Sequence, residues 1–176
     1  MSMPKHPLVA ACLLCANLAG SALAEGPHLG KPIGASDLKA WDIFVMPDGT
    51  GLPRGSGTAA QGAPIYKQKC AACHGENGEG AIAGQLIGGP PRATLDGGKT
   101  ISNYYPYATT IFDYVRRAMP YTAPRSLSDQ EVYALTAFLL ARNKIIGEDE
   151  VMNAETLPKV KMPNRDGFIT RFPDRI

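Results

Sequence analysis

The run KCAACHGENGEG at residues 69–80 constrains this chain more than any other feature. Cys70 and Cys73 stand three apart, and His74 follows the second cysteine directly. C-x-x-C-H is the attachment signature of a c-type haem. Two thiols one helical turn apart can each add to a haem vinyl group and form a thioether. The adjacent imidazole then lies beneath the iron as its proximal ligand. Three other readings of these cysteines are weaker. A redox dithiol needs a βαβ context, and no such alternation is visible. A zinc site needs four ligands, or three plus water, and beyond the first 24 residues the chain offers two cysteines, His74 and the remote His28. A disulfide across so tight a ring contributes little loop-closure entropy.

The start of the chain agrees with attachment outside the bacterial cytoplasm. MSMPKH carries Lys5, an apolar run extends from Leu8 to Leu18, and Ala22-Leu23-Ala24 forms an A-x-A cleavage site. Residues 1–24 are therefore expected to be a signal peptide cut after Ala24, leaving the mature chain in the periplasm with no membrane span. The apolar run is shorter than the roughly 20 residues that a bilayer requires. An uncleaved anchor is the alternative. Cys12 and Cys15 fall in the signal, so Cys70 and Cys73 are the mature cysteines, in a compartment outside the reducing cytosol. With 18 basic and 16 acidic residues, nothing points to nucleic acid as a partner.

Three helical patterns follow. Thr58 caps a helix over about 59–69, with Gly62, Ile65, Tyr66 and Cys70 on one face. A second runs over about 109–118, with Ile111, Phe112 and Val115 on its apolar face, and Pro120 stops it. A third opens with the capping box formed by Ser128 and Glu131 and reaches about Arg142. Val132, Leu135, Phe138 and Leu139 form its face. Between the first two lies a Gly-rich stretch, 75–103, read as a long loop that wraps something. Trp41–Met46 reads as a strand or a strap, and residues 144–176 as a tail over the domain. Three short helices make a thin core, which a covalent porphyrin would fill.

The sixth ligand should be a neutral nitrogen or a soft sulfur. Met46, Met119, Met152 and Met162 are candidates, as is His28. Met119 stands after one helix and before the last, where a chain that has crossed the haem edge returns to its opposite face. It is the expected ligand, the bland alternative being core filler. His/Met ligation closes both axial positions, which suits electron transfer rather than substrate chemistry at iron.

These residues resemble a class I cytochrome c. Gly62, Tyr66 and Cys70 match that family's first helix, and Leu135, Phe138 and Leu139 its last. The resemblance implies that the two helices cross at the glycine with two aromatics beside it. It implies that Leu86 contacts the haem, and that a loop proline's carbonyl receives the proximal imidazole. Pro90 stands late for that role. A narrower resemblance covers GTGLPRGSGTAAQGAPIYKQKCAACHGENGEG, YYPYATTIFDYVRRAMPYTAPRSLSDQEVYALTAFLLARNKII and LPKVKMPNRDGF. These strings are similar to the cytochrome subunit of bacterial sulfite and sulfane dehydrogenases. That subunit pairs with a molybdenum-cofactor catalytic subunit and passes electrons to a downstream periplasmic carrier. Some members hold two haems, whereas one C-x-x-C-H can fasten one haem c.

The expected architecture is mostly α, a class I cytochrome c fold of short helices and a long loop around one covalent haem. Its parts are an extension at 25–57, the cytochrome domain at 58–143 and an extension at 144–176. Both extensions are expected to be docking surface. Tyr105 and Tyr107 are candidate hydrogen-bond donors to a haem propionate, half-buried packing being the alternative. Arg116 and Arg117 either pair with propionates or an acidic partner, or form a solvated helix face. Glu148-Asp149-Glu150 reads as solvated surface. No residue resembles a substrate site, so the chain is expected to carry electrons for a dehydrogenase rather than to catalyse alone. Two rival functions remain: a free electron shuttle, and a haem enzyme or gas sensor with an open iron.

Overall fold

A computed structural model describes residues 29–39, 41–89 and 98–168. The expected leader with its cut after Ala24, His28 and Pro90 lie outside the described residues. The chain forms two compact units, Met1–Leu38 and Lys39–Ile176, each taken here by itself. Among the described residues of the first, Gly34 N donates to Asp37 Oδ2 at 2.9 Å where the short helix α1 (Ala35–Lys39) begins. Leu29, Ile33 and Leu38 are exposed.

The second unit is built on helices whose starts are written in local chemistry. Helix α2 (Ala59–Lys69) opens with a reciprocal cap: Thr58 N donates to Gln61 Oε1 at 3.0 Å, and Gln61 N donates back to Thr58 Oγ1. It continues through Pro64, whose missing N–H leaves the Ala60 carbonyl without its helical partner. Packing on its buried side overrides that loss. One further turn, α3 (Ala71–His74), follows directly. Within the stretch read as loop, Thr100 and Asn103 make their own capping box and start α4 (Ile101–Tyr104). Helix α5 (Ala108–Ala118) and helix α6 (Asp129–Arg142) stand within a residue of where the sequence places them. The Ser128–Glu131 box opens α6 as read.

The core sits around α6. The sequence gives this helix one apolar face, but every residue from Val132 to Ala137 is buried, because α2, α5 and two short strands pack around it. α2 crosses α6 where Gly62 has no side chain. A Cβ there would lie 2.1 Å from the Ala134 carbonyl oxygen and 2.7 Å from Phe138 Cβ. The rings of Tyr66 and Phe138 pack beside the crossing, centroids 4.9 Å apart. Both features are those that the class I resemblance implies.

The extensions join in a way that no sequence pattern announced. β1 (Ser56–Gly57) pairs antiparallel with β2 (Met152–Asn153), Ser56 opposite Asn153 and Gly57 opposite Met152. Two-residue strands carry no period to read. Beyond β2 the tail lies on the domain as expected, and Met152, Leu157 and Met162 are all in the buried core. Residues 41–46 form a strap, not a strand.

Candidate haem-attachment site

Cys70 ends α2 and begins α3, so one backbone turn carries all three reactive side chains. Cys70 N donates to Tyr66 O at 2.8 Å, and Cys70 O receives Cys73 N at 3.1 Å and His74 N at 3.0 Å. Gly75, at φ 85°, ends the turn in a conformation that a side chain would strain. The cysteines are not bridged to each other; Cys70 is half-buried and Cys73 exposed. Burial pushes the Cys70 thiol up to about 11. That is the reverse of a redox dithiol, whose thiol is shifted down towards the thiolate. Among the described residues, no three His, Cys, Asp or Glu side chains gather in a way that could hold a metal ion.

The loop after the turn folds back onto it. Gly80 N donates to His74 O at 2.8 Å, Ala83 N to Cys73 O at 2.8 Å, and Leu86 N to Gly78 O at 2.8 Å. These bonds bring the Gly84 carbonyl 2.9 Å from His74 Nδ1. A carbonyl only accepts, so Nδ1 carries a proton in this bond. The acceptor that the family resemblance assigns to a proline is here a glycine. Sequence reasoning missed Gly84, because a backbone acceptor depends on loop path and not on residue type. Tyr66 adds a second brace: its hydroxyl donates to Gly75 O at 2.9 Å, and burial pushes its own ionisation up to about 12.

Of the other candidates, Tyr105, Tyr107 and Met119 stand on either side of α5, and the rest are spread along the chain. Met119 caps the C-terminus of α5 in extended backbone and is half-buried, with its N–H on Val115 O at 3.1 Å. Met152 and Met162 lie in the core, and Met46 is exposed on the strap. Leu86 is half-buried against the core, its carbonyl receiving Ile101 N at 3.1 Å. Tyr105 is half-buried with its ring edge-on to Tyr104 at 5.6 Å, and burial raises its hydroxyl. Tyr107 lies under the Arg165 guanidinium, 4.1 Å from the ring centre.

The paired arginines differ in exposure: Arg116 is half-buried, whereas Arg117 lies exposed on the helix face. Arg116 Nε donates to Asp129 Oδ1 at 3.0 Å and its Nη1 to Ile43 O at 3.1 Å. Arg117 clasps Asp113, whose Oδ1 also receives Val45 N at 2.9 Å. Both are tied to acids of this chain, and both bonds help fix the strap on α5. Glu148, Asp149 and Glu150 are exposed, as read.

Residues 59–143 match the family model described as Cytochrome c. The structure is similar to that titled the sulfane dehydrogenase SoxCD from Paracoccus pantotrophus, with a TM-score of 0.75 and 39% identity. That match covers 85% of this chain and 75% of the other. A thiosulfate dehydrogenase of Stutzerimonas stutzeri (strain A1501) is 30% identical over 87 residues, 49% of this chain and 28% of that protein. The Cbb3-type cytochrome c oxidase subunit CcoP of Azospirillum brasilense is 49% identical over 37 residues, 20% of this chain and 12% of that subunit. The chain thus spans little more than a quarter of the thiosulfate dehydrogenase that it matches. No helix among the described residues is long and apolar enough to cross a membrane. The family model, the 39% identity and the helix crossing at Gly62 agree: the chain belongs to the cytochrome c family, whose members hold covalent haem c and transfer electrons.

Proposed function

We propose that the chain is the haem subunit of a periplasmic, molybdenum-dependent sulfite or sulfane dehydrogenase. It holds one haem c, accepts single electrons from the catalytic subunit and passes them to a further periplasmic carrier. The observation that carries this reading is the likeness to a sulfane dehydrogenase over 85% of the chain, well beyond the matched cytochrome residues 59–143.

The residues present fit the group. The single turn α3 would present Cys70 and Cys73 for thioether bonds. His74 would be the proximal ligand through Nε2, with Gly84 O holding Nδ1–H, fixing the tautomer and raising the basicity of the ring. Met119 would be the distal ligand, since Met152 and Met162 are committed to the core and Met46 is exposed. Leu86 and Ile87, packed against the core, would line the haem and exclude water. Tyr105 would offer its hydroxyl to a propionate, as would Tyr107, whose ring face Arg165 covers. Haem, when bound, supplies a reversible one-electron couple at iron. His74 and Met119, by both holding the iron, would favour the reduced state and leave no open position for substrate.

The test is to mix the purified chain with the purified catalytic subunit and sulfite or a sulfane substrate. Haem reduction that requires both subunits supports the proposal. Turnover of the sulfur compound with the haem left oxidised refutes it.

A further inference from the structure

The structure separates the two extensions, both of which the sequence offered as docking surface. The C-terminal one is part of the core, with Met152, Leu157 and Met162 each at most 3% exposed. The N-terminal strap is different. Along residues 43–46 the side chains alternate: Ile43 is half-buried and Val45 buried, while Phe44 and Met46 face out at 52% and 46% exposure. Trp41, the chain's one tryptophan, is 80% exposed.

This display is not slack chain. Val45 N is bonded to Asp113, Ile43 O to Arg116, and Pro47 O receives Thr109 Oγ1 at 3.4 Å. Met46 N donates to Thr50 O at 2.9 Å. An ordered backbone therefore holds the apolar side chains in water. The preceding segment, by itself, also exposes Leu29, Ile33 and Leu38. Within the second unit, Trp41, Phe44 and Met46 place three large exposed hydrophobics inside six residues. Single exposed apolar residues need no explanation, but this concentration does.

Charge selects the kind of partner. Residues 39–46 carry Lys39 against Asp42, so they have no net charge. Attraction at long range would contribute little, and a bound surface would have to be apolar and neutral. Such contacts characterise permanent assemblies rather than transient encounters. The strap also lies along α5, which ends at Met119. A protein seated on it is held beside the segment that carries the proposed distal ligand, which suits an electron donor.

We propose that the outer face of the strap, centred on Trp41, Phe44 and Met46, is the permanent docking surface for the dehydrogenase's catalytic subunit. The proposal rests on the function inferred above and adds where, and by what forces, the subunits join. It favours a stable subunit over a free shuttle.

The experiment co-expresses the full chain with the catalytic subunit and measures their affinity by sedimentation, at low salt and at about 1 M sodium chloride, where charge attraction is screened. The wild-type complex should survive high salt. The double variant W41S/F44S should bind roughly 30-fold or more weakly, as expected for central aromatic anchors. Its haem spectrum and thermal midpoint should be unchanged, since both side chains are exposed. A wild-type complex that tolerates W41S/F44S overturns the placement alone, as does one that dissolves in salt. A homodimer of the wild-type chain that the substitutions break, with the heterocomplex intact, assigns the face to a second copy and overturns the proposal. Absence of any complex at either salt concentration overturns the subunit reading itself, and this placement with it.

Discussion

Gly84 contributes no side chain, and its role as acceptor for His74 Nδ1 depends only on its carbonyl. Apart from its two chain neighbours, no atom of the described residues lies within 4 Å of where its Cβ would stand. Gly84→Ala should therefore leave the haem spectrum as it is, a null result that optical titration can check. Met119 is the opposite case, because its thioether is the proposed ligand. Met119→Ala should open the distal position, admit carbon monoxide and lower the reduction potential. A carbon monoxide difference spectrum and a redox titration measure both, and an unchanged spectrum would remove Met119 from the iron. The thiols and imidazole were legible in sequence because C-x-x-C-H is local. Gly84 was not, because ten residues of loop hydrogen bonding bring it to His74.

At the scale of elements, α2 and α6 form the frame on which the attachment turn is built. Gly62→Ala would drive a methyl into the Ala134 carbonyl, and overpacking of this kind costs about 1–3 kcal/mol. Denaturant unfolding should show it, and a neutral result would mean that the helices can part without penalty. The same pair is joined by Lys69 and Glu131 at 2.7 Å. The Lys69 bond, then the Ser128 N–H, holds the Glu131 carboxyl below its ordinary value. A lowered folded-state value means that the carboxylate stabilises the fold above the unfolded pKa of roughly 4.3, and that this is lost as pH falls through the folded value. Glu131→Gln keeps a side chain suited to the capping box but loses the charge. It should cost on the order of 0.5–1 kcal/mol near neutrality, and the gap to wild type should close below about pH 4. Thermal midpoints across pH would reveal a gap that persists in acid, which would assign the effect to something other than this pair. The capping boxes of α2 and α6 and their apolar spacing were readable because they lie within one or two turns. α4 was hidden by its length, β1 and β2 by theirs, and the full burial of α6 by neighbours that arrive from distant parts of the chain.

Over the whole molecule, the tail behaves as core, whereas the strap keeps Trp41, Phe44 and Met46 exposed. Leu157 is fully buried, so Leu157→Ala should destabilise the protein by about 2–5 kcal/mol although it lies outside residues 59–143. Calorimetry of the haem-loaded protein checks this, and a midpoint near wild type would mean that the tail is dispensable. Sequence reading placed the tail over the domain but treated it with the N-terminal extension as docking surface. Burial divides them, because Met152 and Met162 point inward while Trp41 and Phe44 do not. The claim that joins these scales is that this haem travels with a molybdenum subunit. Metal content after gentle purification of the chain from its native cells tests it most directly. A molybdenum-to-iron ratio near one is expected, whereas iron without molybdenum would identify a free shuttle and refute the subunit assignment.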